Sequence, residues 1–348
     1  MASNSYTKVL VYLRKTSQAG YQLAKFNECV LDHLGQPGEA LVHCHLENNQ
    51  LLLESPDQDQ ENSANLPRTA EMPPLYKIMH PPFCPVQHLD EEGCAALPPE
   101  IITRGIAVGV AILLESSDKH LLLTRRAAHM RTFAHVWVPP GGHVENKESL
   151  EDAALRELEE ETGLVVTAAE RQSTNTLGLW ESVFPPLLQM GQPKRHHIVV
   201  YLHVILHRSS EQLKSQFKLC PEEVDAAVWL SVDLIKFAVW KTDEFSEQEQ
   251  ENTSSDEKIH VTLVNQEGEH VAGSMKASFL KQADQVTELT LGRVSTGSRF
   301  ALSLWLEQHL QKSDFPGSSQ RALYGRYMSQ SDAENHCYSA SPKIKPKI

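Results

Sequence analysis

The chain has 348 residues, of which 41% are hydrophobic, and a formal net charge of −13 at pH 7. This length suits one large or two modest domains, and the negative charge argues against nonspecific binding of nucleic acid by the whole surface. The sequence has no apolar run of about 18 residues and no apolar core of a secretory signal near its start. We therefore expect neither a membrane nor DNA as a partner, whereas the oligomeric state is left open.

The six cysteines are scattered and form no Cys-x-x-Cys pair. In a chain of this size without a secretion signal, this usage is typical of free thiols in a reducing compartment. We therefore expect a cytoplasmic protein. Cys84, His88 and Cys94 lie too far apart for the usual structural zinc site, which has four ligands at tighter spacing.

The first 102 residues predict a small unit followed by a connection. Residues 1–54 predict a β-α-β-β unit, with a helix over 21–34 and strands at 9–13, 41–46 and 51–53. Residues 55–102 are rich in Pro, Asp, Gln, Glu and Asn, which is typical of a linker or of an extended segment that wraps over the next domain.

Residues 103–240 predict the main domain, and three further segments follow it. The expected strands and closing helix of this domain lie at 104–115, 120–124, 164–167, 198–206, 222–230 and 232–239. Residues 241–258 predict an acidic disordered loop, and 259–311 a hairpin (260–264 and 270–275) and a helix (296–310) that can pack on the main domain. The Ser-rich tail, 312–348, predicts disorder.

An acidic stretch at residues 142–164 dominates the main domain. Strong helix formers fill most of it, and Gly163 is a typical C-terminal stop. Glu157, Glu160 and Glu161 are spaced i, i+3 and i+4, so they share one face of the predicted helix. Close like charges repel, so a packed helix that keeps three carboxylates together predicts a hard cation with oxygen ligands, such as Mg²⁺ or Mn²⁺.

The same stretch resembles the Nudix box, Gly-x5-Glu-x7-Arg-Glu-U-x-Glu-Glu-x-Gly-U, in which U is a bulky aliphatic residue. Every fixed position matches: Gly142, Glu148, Arg156, Glu157, Leu158, Glu160, Glu161, Gly163 and Leu164. The resemblance to the Nudix hydrolase family implies an α/β fold, an α/β/α sandwich with a mixed sheet. Here a small N-terminal α+β unit and a C-terminal extension would be added to it. It also implies metal-dependent hydrolysis of a nucleoside diphosphate linkage.

The box suggests a role for each of its charged residues. Glu157, Glu160 and Glu161 are the expected ligands of Mg²⁺ or Mn²⁺. Arg156 is the expected orienting partner of nearby carboxylates. Glu148, at the helix start, can reach towards the metal from there. The general base is left open among three glutamates, in falling order of preference: Glu160, Glu181 and Glu223.

Substrate contacts are predicted only by residue type. Three aromatic residues could stack on a base or simply pack in the core: Trp180, Phe184 and Tyr201. Four basic residues could bind phosphates or an RNA strand or simply face solvent: Arg125, Arg126, Lys194 and Arg195.

Further strings are similar to a vertebrate branch of the Nudix family that hydrolyses the 5′ cap of messenger RNA. They lie at residues 81–85, 121–127, 137–145, 178–182, 194–199 and 294–302. This resemblance implies capped RNA as the substrate and 7-methyl-GDP as a product. A diphosphatase for a small nucleotide such as coenzyme A is the second hypothesis, and a noncatalytic nucleotide-binding scaffold is the third. The intact set of box glutamates disfavours the scaffold.

Overall fold

One mixed β-sheet runs through the chain, as a computed structural model shows. The structure describes residues 8–14, 20–34, 38–56, 74–239, 256–281 and 293–312. Within these residues fourteen strands join the sheet, and helices pack on it, so the protein has a fold of the α/β class. No helix in the described ranges is long and apolar enough to cross a membrane.

The N-terminal segments supply five strands and three short helices. In chain order they are β1 (Leu10–Arg14), β2 (Gln22–Leu23), α1 (Val30–His33), β3 (Glu39–Glu47), β4 (Gln50–Glu54), β5 (Leu75–Met79), α2 (Glu91–Ala95) and α3 (Pro99–Ile102). The helix expected over 21–34 is wrong: two residues of this segment form β2 and only one turn is helical. Most of its apolar side chains, including Phe26 and Leu31, are buried by tertiary packing without a continuous helix, whereas Leu23 is exposed.

The central segments supply seven strands and three helices. They are β6 (Ala107–Glu115), β7 (Leu121–Arg126), β8 (Trp137–Val138), β9 (Gly141–His143), α4 (Leu150–Thr162), β10 (Arg171–Phe184), β11 (Arg195–Leu206), α5 (Ser210–Lys214), β12 (Val224–Leu230) and α6 (Val232–Val239). The strand expected at 164–167 is wrong. The carbonyl of Val165 accepts a hydrogen bond from the Arg208 side chain, and its own side chain is exposed.

The C-terminal segments supply β13 (Lys258–Val264), β14 (His270–Lys276) and α7 (Thr296–Lys312). The structure therefore confirms the predicted hairpin and the predicted last helix. The disorder predicted for 241–258 and 312–348 falls almost wholly outside the described residues.

The strand order joins all three parts of the chain. It runs β14-β13-β12-β7-β6-β11-β10-β5-β3-β4-β1-β2, and β1 also pairs with β6 at Leu10 and Ala107. The range predicted as a linker, 55–102, contributes β5, which pairs with β3 and with β10. The N-terminal strands therefore continue the sheet of the main domain.

Two apolar clusters cover the two faces of the sheet. Ala154 and Leu158 of α4 belong to the first cluster, and helices α6 and α7 contribute to the second. The result is the helix–sheet–helix sandwich that the resemblance implied.

Candidate active site

The acidic helix α4 begins and ends where its sequence provides caps. The Ser149 hydroxyl accepts a hydrogen bond from the backbone N–H of Asp152 at 3.0 Å, which satisfies a free donor of the first turn. Gly163 ends the helix with φ of 71°, in the left-handed region that glycine adopts readily. These caps, together with buried Leu158, fix the rotation of α4 and turn part of its acidic face towards the sheet.

Glu161 is the most deeply buried carboxylate of the helix, with 2% of its surface exposed. Its Oε2 accepts a hydrogen bond from Thr124 Oγ1 at 2.9 Å, and its Oε1 accepts one from Gly141 N at 3.4 Å. Burial raises the pKa of Glu161 to about 8, because removal from water disfavours the charged form more than these two donors favour it. A cation beside Glu161 would compensate for the buried charge.

Glu157 lies one turn before Glu161 and is also buried. Burial raises its pKa, although the guanidinium of Arg156 opposes that shift. One carboxylate oxygen each of Glu157, Glu161 and Glu223 lie within 4.8 Å of one another. Three carboxylates at this spacing are a donor set that suits Mg²⁺ or Mn²⁺, which prefer oxygen ligands.

Backbone contacts bring Glu223 to the end of the acidic helix. The segment before β12 is held to α4 by hydrogen bonds from Lys218 N to Thr162 O (2.8 Å) and from Cys220 N to Glu161 O (3.0 Å). The sequence suggested Glu223 only as the third candidate for the general base. No spacing pattern links it to the box, because it lies 62 residues after Glu161.

Two glycines allow β9 to approach both the sheet and the helix. A Cβ atom at Gly142 would lie 2.3 Å from Glu157 Oε1, and one at Gly141 would lie 2.2 Å from the carbonyl oxygen of Val110. Neither distance is compatible with a side chain. The backbone of β9 therefore lies directly against the carboxylate group.

Arg156 organises the remaining charges of the box. Its guanidinium donates two hydrogen bonds to Glu148, at 2.6 and 3.0 Å, and one each to Glu157 and Glu160 at 2.9 Å. A fourth acceptor is the carbonyl of His143 at 2.9 Å. The bond to Arg156 lowers the pKa of Glu148. The geometry thus fits the predicted orienting function of Arg156.

Two of the glutamates that the sequence suggested, Glu160 and Glu181, lie in different environments, one exposed and one buried. The side chain of Glu160 is 55% exposed and its carboxylate pairs with Arg156, apart from the cluster of Glu157, Glu161 and Glu223. Glu181, one of the candidates for the general base, is fully buried and accepts hydrogen bonds from His196 and from Val30 N. Because its side chain is shielded from water and lies outside the cluster of Glu157, Glu161 and Glu223, its placement removes it as a candidate for the general base.

A cleft of about 240 Å³ opens beside β9. Predicted contact residues on its wall are Arg126, Trp180, Phe184, Arg195 and Tyr201. Phe133 faces Phe184 edge to face, with 5.1 Å between ring centroids, whereas Trp180 packs on Phe300 at 5.4 Å. The aromatic wall is suited to an apolar ring such as a base, and the two arginines to phosphates.

Two predicted contacts lie elsewhere. Arg125 forms an ion pair with Asp225 at 2.6 Å and its guanidinium lies 5.7 Å from the Trp137 ring centroid, away from the cleft wall. Lys194 lines a neighbouring cavity of about 580 Å³, with Lys8, Arg104 and Arg195. Because Arg195 lines both cavities, the second one continues the first with a basic surface.

Two histidines of the cleft were not suggested by the sequence. His143 Nε2 and His197 Nε2 lie 3.3 Å apart, and both side chains line the cleft. Burial lowers the pKa of both residues, that of His197 to about 3, so the pair is neutral at pH 7. Only the pairing of β9 and β11 with β6 brings these residues together.

The sandwich, the acidic helix and the glycine-bearing strand beside it define a class of protein. Residues 103–249 match the NUDIX domain, and long relatives of the same class align with most of the chain. The chain belongs to the NUDIX family of hydrolases.

Among particular members, the chain is similar to the m7GpppN-mRNA hydrolase NUDT17 of Danio rerio. The two are 41% identical over 302 residues, which cover 86% of this chain and 95% of that protein. The Xenopus laevis protein of the same name is 41% identical over 309 residues, covering 87% and 96%. Among solved structures, a MutT protein from Methanosarcina mazei Go1 is 25% identical with a TM-score of 0.28, covering 37% of this chain and 79% of that chain.

Proposed function

We propose that this chain hydrolyses the 5′ cap of messenger RNA and releases 7-methyl-GDP. The observation that carries the proposal is the cleft itself, in which aromatic and basic side chains stand beside the carboxylate cluster and lead into a second basic cavity. The relatives from Danio rerio and Xenopus laevis are named m7GpppN-mRNA hydrolases, which supports the same substrate.

NUDIX hydrolases generally need divalent metal ions. We propose that Glu157 and Glu161, with Glu223, hold Mg²⁺ or Mn²⁺, and that Glu160 completes or adjusts this site from the exposed side. Such an ion would supply Lewis-acid activation of water and would neutralise charge on the phosphate oxygens. Arg156 and Glu148 keep the carboxylates oriented through their bidentate ion pair. A cytoplasmic place of action stays a prediction from the sequence.

The remaining roles follow from placement in the cleft. We assign the methylated base to the wall formed by Phe133 and Phe184, and the phosphate chain to Arg126 and Arg195. Between the two candidates left for the general base, Glu160 is the more exposed, and its carboxylate is free to meet water on one side. Glu223 then serves as a ligand.

The second cavity distinguishes a long substrate from a small one. Lys8, Arg104 and Lys194 add positive charge beyond the cleft in a chain whose net charge is −13. A capped RNA would place the phosphates after its first nucleotide there, whereas coenzyme A or a cap dinucleotide would not need it.

The test is a product analysis with Mg²⁺ or Mn²⁺ and a panel of capped RNA, cap dinucleotide, coenzyme A, dinucleoside polyphosphates and ADP-ribose. We expect 7-methyl-GDP from capped RNA. The double variant Arg104→Ala/Lys194→Ala should raise KM for capped RNA about tenfold at low salt, by a factor that shrinks as salt rises, and leave KM for the cap dinucleotide nearly unchanged. Lys214→Ala, on α5, is the control for loss of a surface charge. Fast cleavage of a small nucleotide without release of 7-methyl-GDP would refute the proposal.

A further inference from the structure

A second cluster of metal-binding side chains lies away from the acidic helix. Within the described residues, single ligand atoms of Cys29, His80 and Cys84 lie within 4.8 Å of one another, and all three side chains are buried. The carboxylate of Glu181 lies beside Cys29, with Oε2 3.5 Å from Cys29 Sγ. We propose that these four residues bind a zinc ion that joins the N-terminal segment to the NUDIX domain.

The four residues reach this place from three distant segments. Cys29 precedes α1, Cys84 lies in a turn closed by its own N–H to the carbonyl of Pro81 at 3.0 Å, and Glu181 lies on β10. The parallel register of β5 and β10 pairs Met79 with Trp180, so the next residues, His80 and Glu181, emerge side by side. The positions of the donors are therefore set by the sheet and two turns.

The surroundings of His80 favour a bound metal ion. This side chain is 2% exposed, yet neither ring nitrogen makes a hydrogen bond of ordinary geometry with any residue that the structure describes. Buried polar atoms without partners are uncommon and demand an explanation such as an ion. A metal ion bound to one nitrogen of His80 would satisfy that atom.

The distance from Glu181 to Cys29 fits tetrahedral coordination. With Zn–S about 2.3 Å and Zn–O about 2.0 Å, a tetrahedral ion holds sulfur and oxygen about 3.5 Å apart. The observed separation is 3.5 Å. Glu181 Oε2 is also the oxygen that faces the sulfur, because Oε1 is already bound by Val30 N at 2.8 Å and by His196 at 2.9 Å.

His196 supplies the outer support that metal sites in proteins usually have. It holds Glu181 from one ring nitrogen, and its other nitrogen lies 2.7 Å from the carbonyl of Phe26. Such hydrogen bonds orient a ligating carboxylate. The set of two sulfurs, one imidazole and one carboxylate favours zinc, whereas the oxygen-only cluster of Glu157, Glu161 and Glu223 favours a harder cation.

The proposed ion would also fix one wall of the cleft. Pro81 and Phe83 lie between the ligands His80 and Cys84, and both line the cleft. Binding would displace the protons of the two thiols and close a cross-link between residues 29 and 84. The loop that carries Phe83 would then be held at both ends by the same ion.

The test is the metal content of the full chain, purified without chelators from cells grown with added zinc. We expect about one tightly held zinc per chain in the unmodified protein, in Glu161→Gln and in the control Cys44→Ser, a partly buried cysteine outside the cluster. Cys84→Ser and His80→Ala should lose at least nine-tenths of it and lower Tm by about 5 °C or more.

X-ray absorption at the zinc edge of the unmodified protein keeps the proposal testable if these variants fail to fold. Two sulfur neighbours and two lighter ones are expected. A shell of oxygen and nitrogen alone would overturn the assignment, and so would zinc retained by Cys84→Ser. A chain free of zinc, or one whose intact mass lacks two hydrogens because Cys29 and Cys84 are disulfide-bonded, would also overturn it.

Discussion

At the scale of single residues, the site depends on a buried carboxylate, Glu161, whose negative charge is unfavourable unless a cation lies beside it. Glu161 is almost inaccessible to water, and among the described residues only Thr124 and the backbone N–H of Gly141 donate hydrogen bonds to it. The pKa of about 8 means that the carboxyl group is protonated at neutral pH in the absence of metal. Binding of a cation must therefore displace a proton.

This linkage gives the direction of two pH effects. The folded, metal-free protein holds a proton on Glu161 between pH 4.5 and about 8, whereas the unfolded chain does not. Because the folded state binds more protons in that window, the metal-free protein loses stability as pH rises through it. Affinity for the cation rises over the same pH range, because the ionised carboxylate is the ligand.

We predict that Glu161→Gln lowers kcat roughly 100-fold or more, because a neutral amide cannot replace a carboxylate ligand, and that the fold is retained. In the unmodified protein, Kd for Mn²⁺ should fall roughly 50-fold as pH rises from 6 to 8 and level off above pH 8, because one proton leaves a group of pKa about 8. This dependence should be weaker in the variant. A turnover assay measures kcat, isothermal titration at each pH measures Kd for Mn²⁺, and circular dichroism shows whether the fold is retained.

Glu159→Gln is the matched control, since Glu159 is an exposed neighbour on the same helix. It should change neither kcat nor the affinity for Mn²⁺ by more than about twofold. An active Glu161→Gln would contradict the ligand assignment.

At the scale of elements, the close contact between β9 and α4 defines the site. Gly142 lies in β9, and Glu157 projects from α4 directly against it. The strand is itself held on β6 by the pairs Gly142–Val110 and His143–Gly109. Neither element can move away without breaking its own packing.

We predict that Gly142→Ala displaces the Glu157 carboxylate, since the added methyl group would lie 2.3 Å from its Oε1. Metal affinity should fall about 10- to 100-fold, with a smaller loss of stability, of about 1–3 kcal/mol. Titration with Mn²⁺ and urea denaturation separate the two effects. Unchanged metal affinity in a folded Gly142→Ala would show that Glu157 is not a ligand.

The acidic helix is the element that the sequence predicted best. Its stop at Gly163 and the spacing of its charges are local, so its end and the cluster of Glu157 with Glu161 could be inferred from the sequence. Its start could not: Glu148, expected at the helix start, precedes the Ser149 cap. Local patterns fail where distant segments meet. Glu223 and the histidine pair His143 and His197 reach the site only through strand pairing.

The same limit applies to the N-terminal part. Most apolar residues of 21–34 are buried against the sheet, but only one turn of this segment is helical. The Pro-rich segment that follows supplies β5. Cys29 and Cys84 are 55 positions apart, so spacing gave no indication of their contact. Topology decides these features, and a single sequence carries little information on topology.

At the scale of the whole molecule, the C-terminal extension completes the cleft. Trp137 pairs with the segment before α7 through hydrogen bonds to Arg293 O (2.8 Å) and from Ser295 N (3.1 Å). Gly297 and Ser298, at the start of α7, line the cleft. A Cβ atom at Gly297 would lie 2.8 Å from the Trp180 ring, so helix and cleft are in direct contact.

Glu115 holds the middle of this helix on the sheet. Its carboxylate accepts hydrogen bonds from Trp305 Nε1, His203 and Lys119, each at 2.7 Å. Burial alone would raise the pKa of Glu115, but these donors lower it to about 2. The network therefore contributes stability above about pH 4.5, and this contribution is lost as pH falls towards 2.

We predict that Trp305→Phe lowers the free energy of unfolding by about 1–3 kcal/mol more than Trp229→Phe does at pH 7. Both changes remove an indole N–H and some ring volume. Trp305 donates a hydrogen bond to a buried carboxylate, whereas Trp229 Nε1 has no hydrogen-bond partner among the residues that the structure describes. The difference between the variants should shrink only as pH falls towards 2, where Glu115 of the folded protein takes up a proton and becomes a weaker acceptor. Urea denaturation at several pH values measures it, and equal losses in the two variants would show that packing alone holds α7.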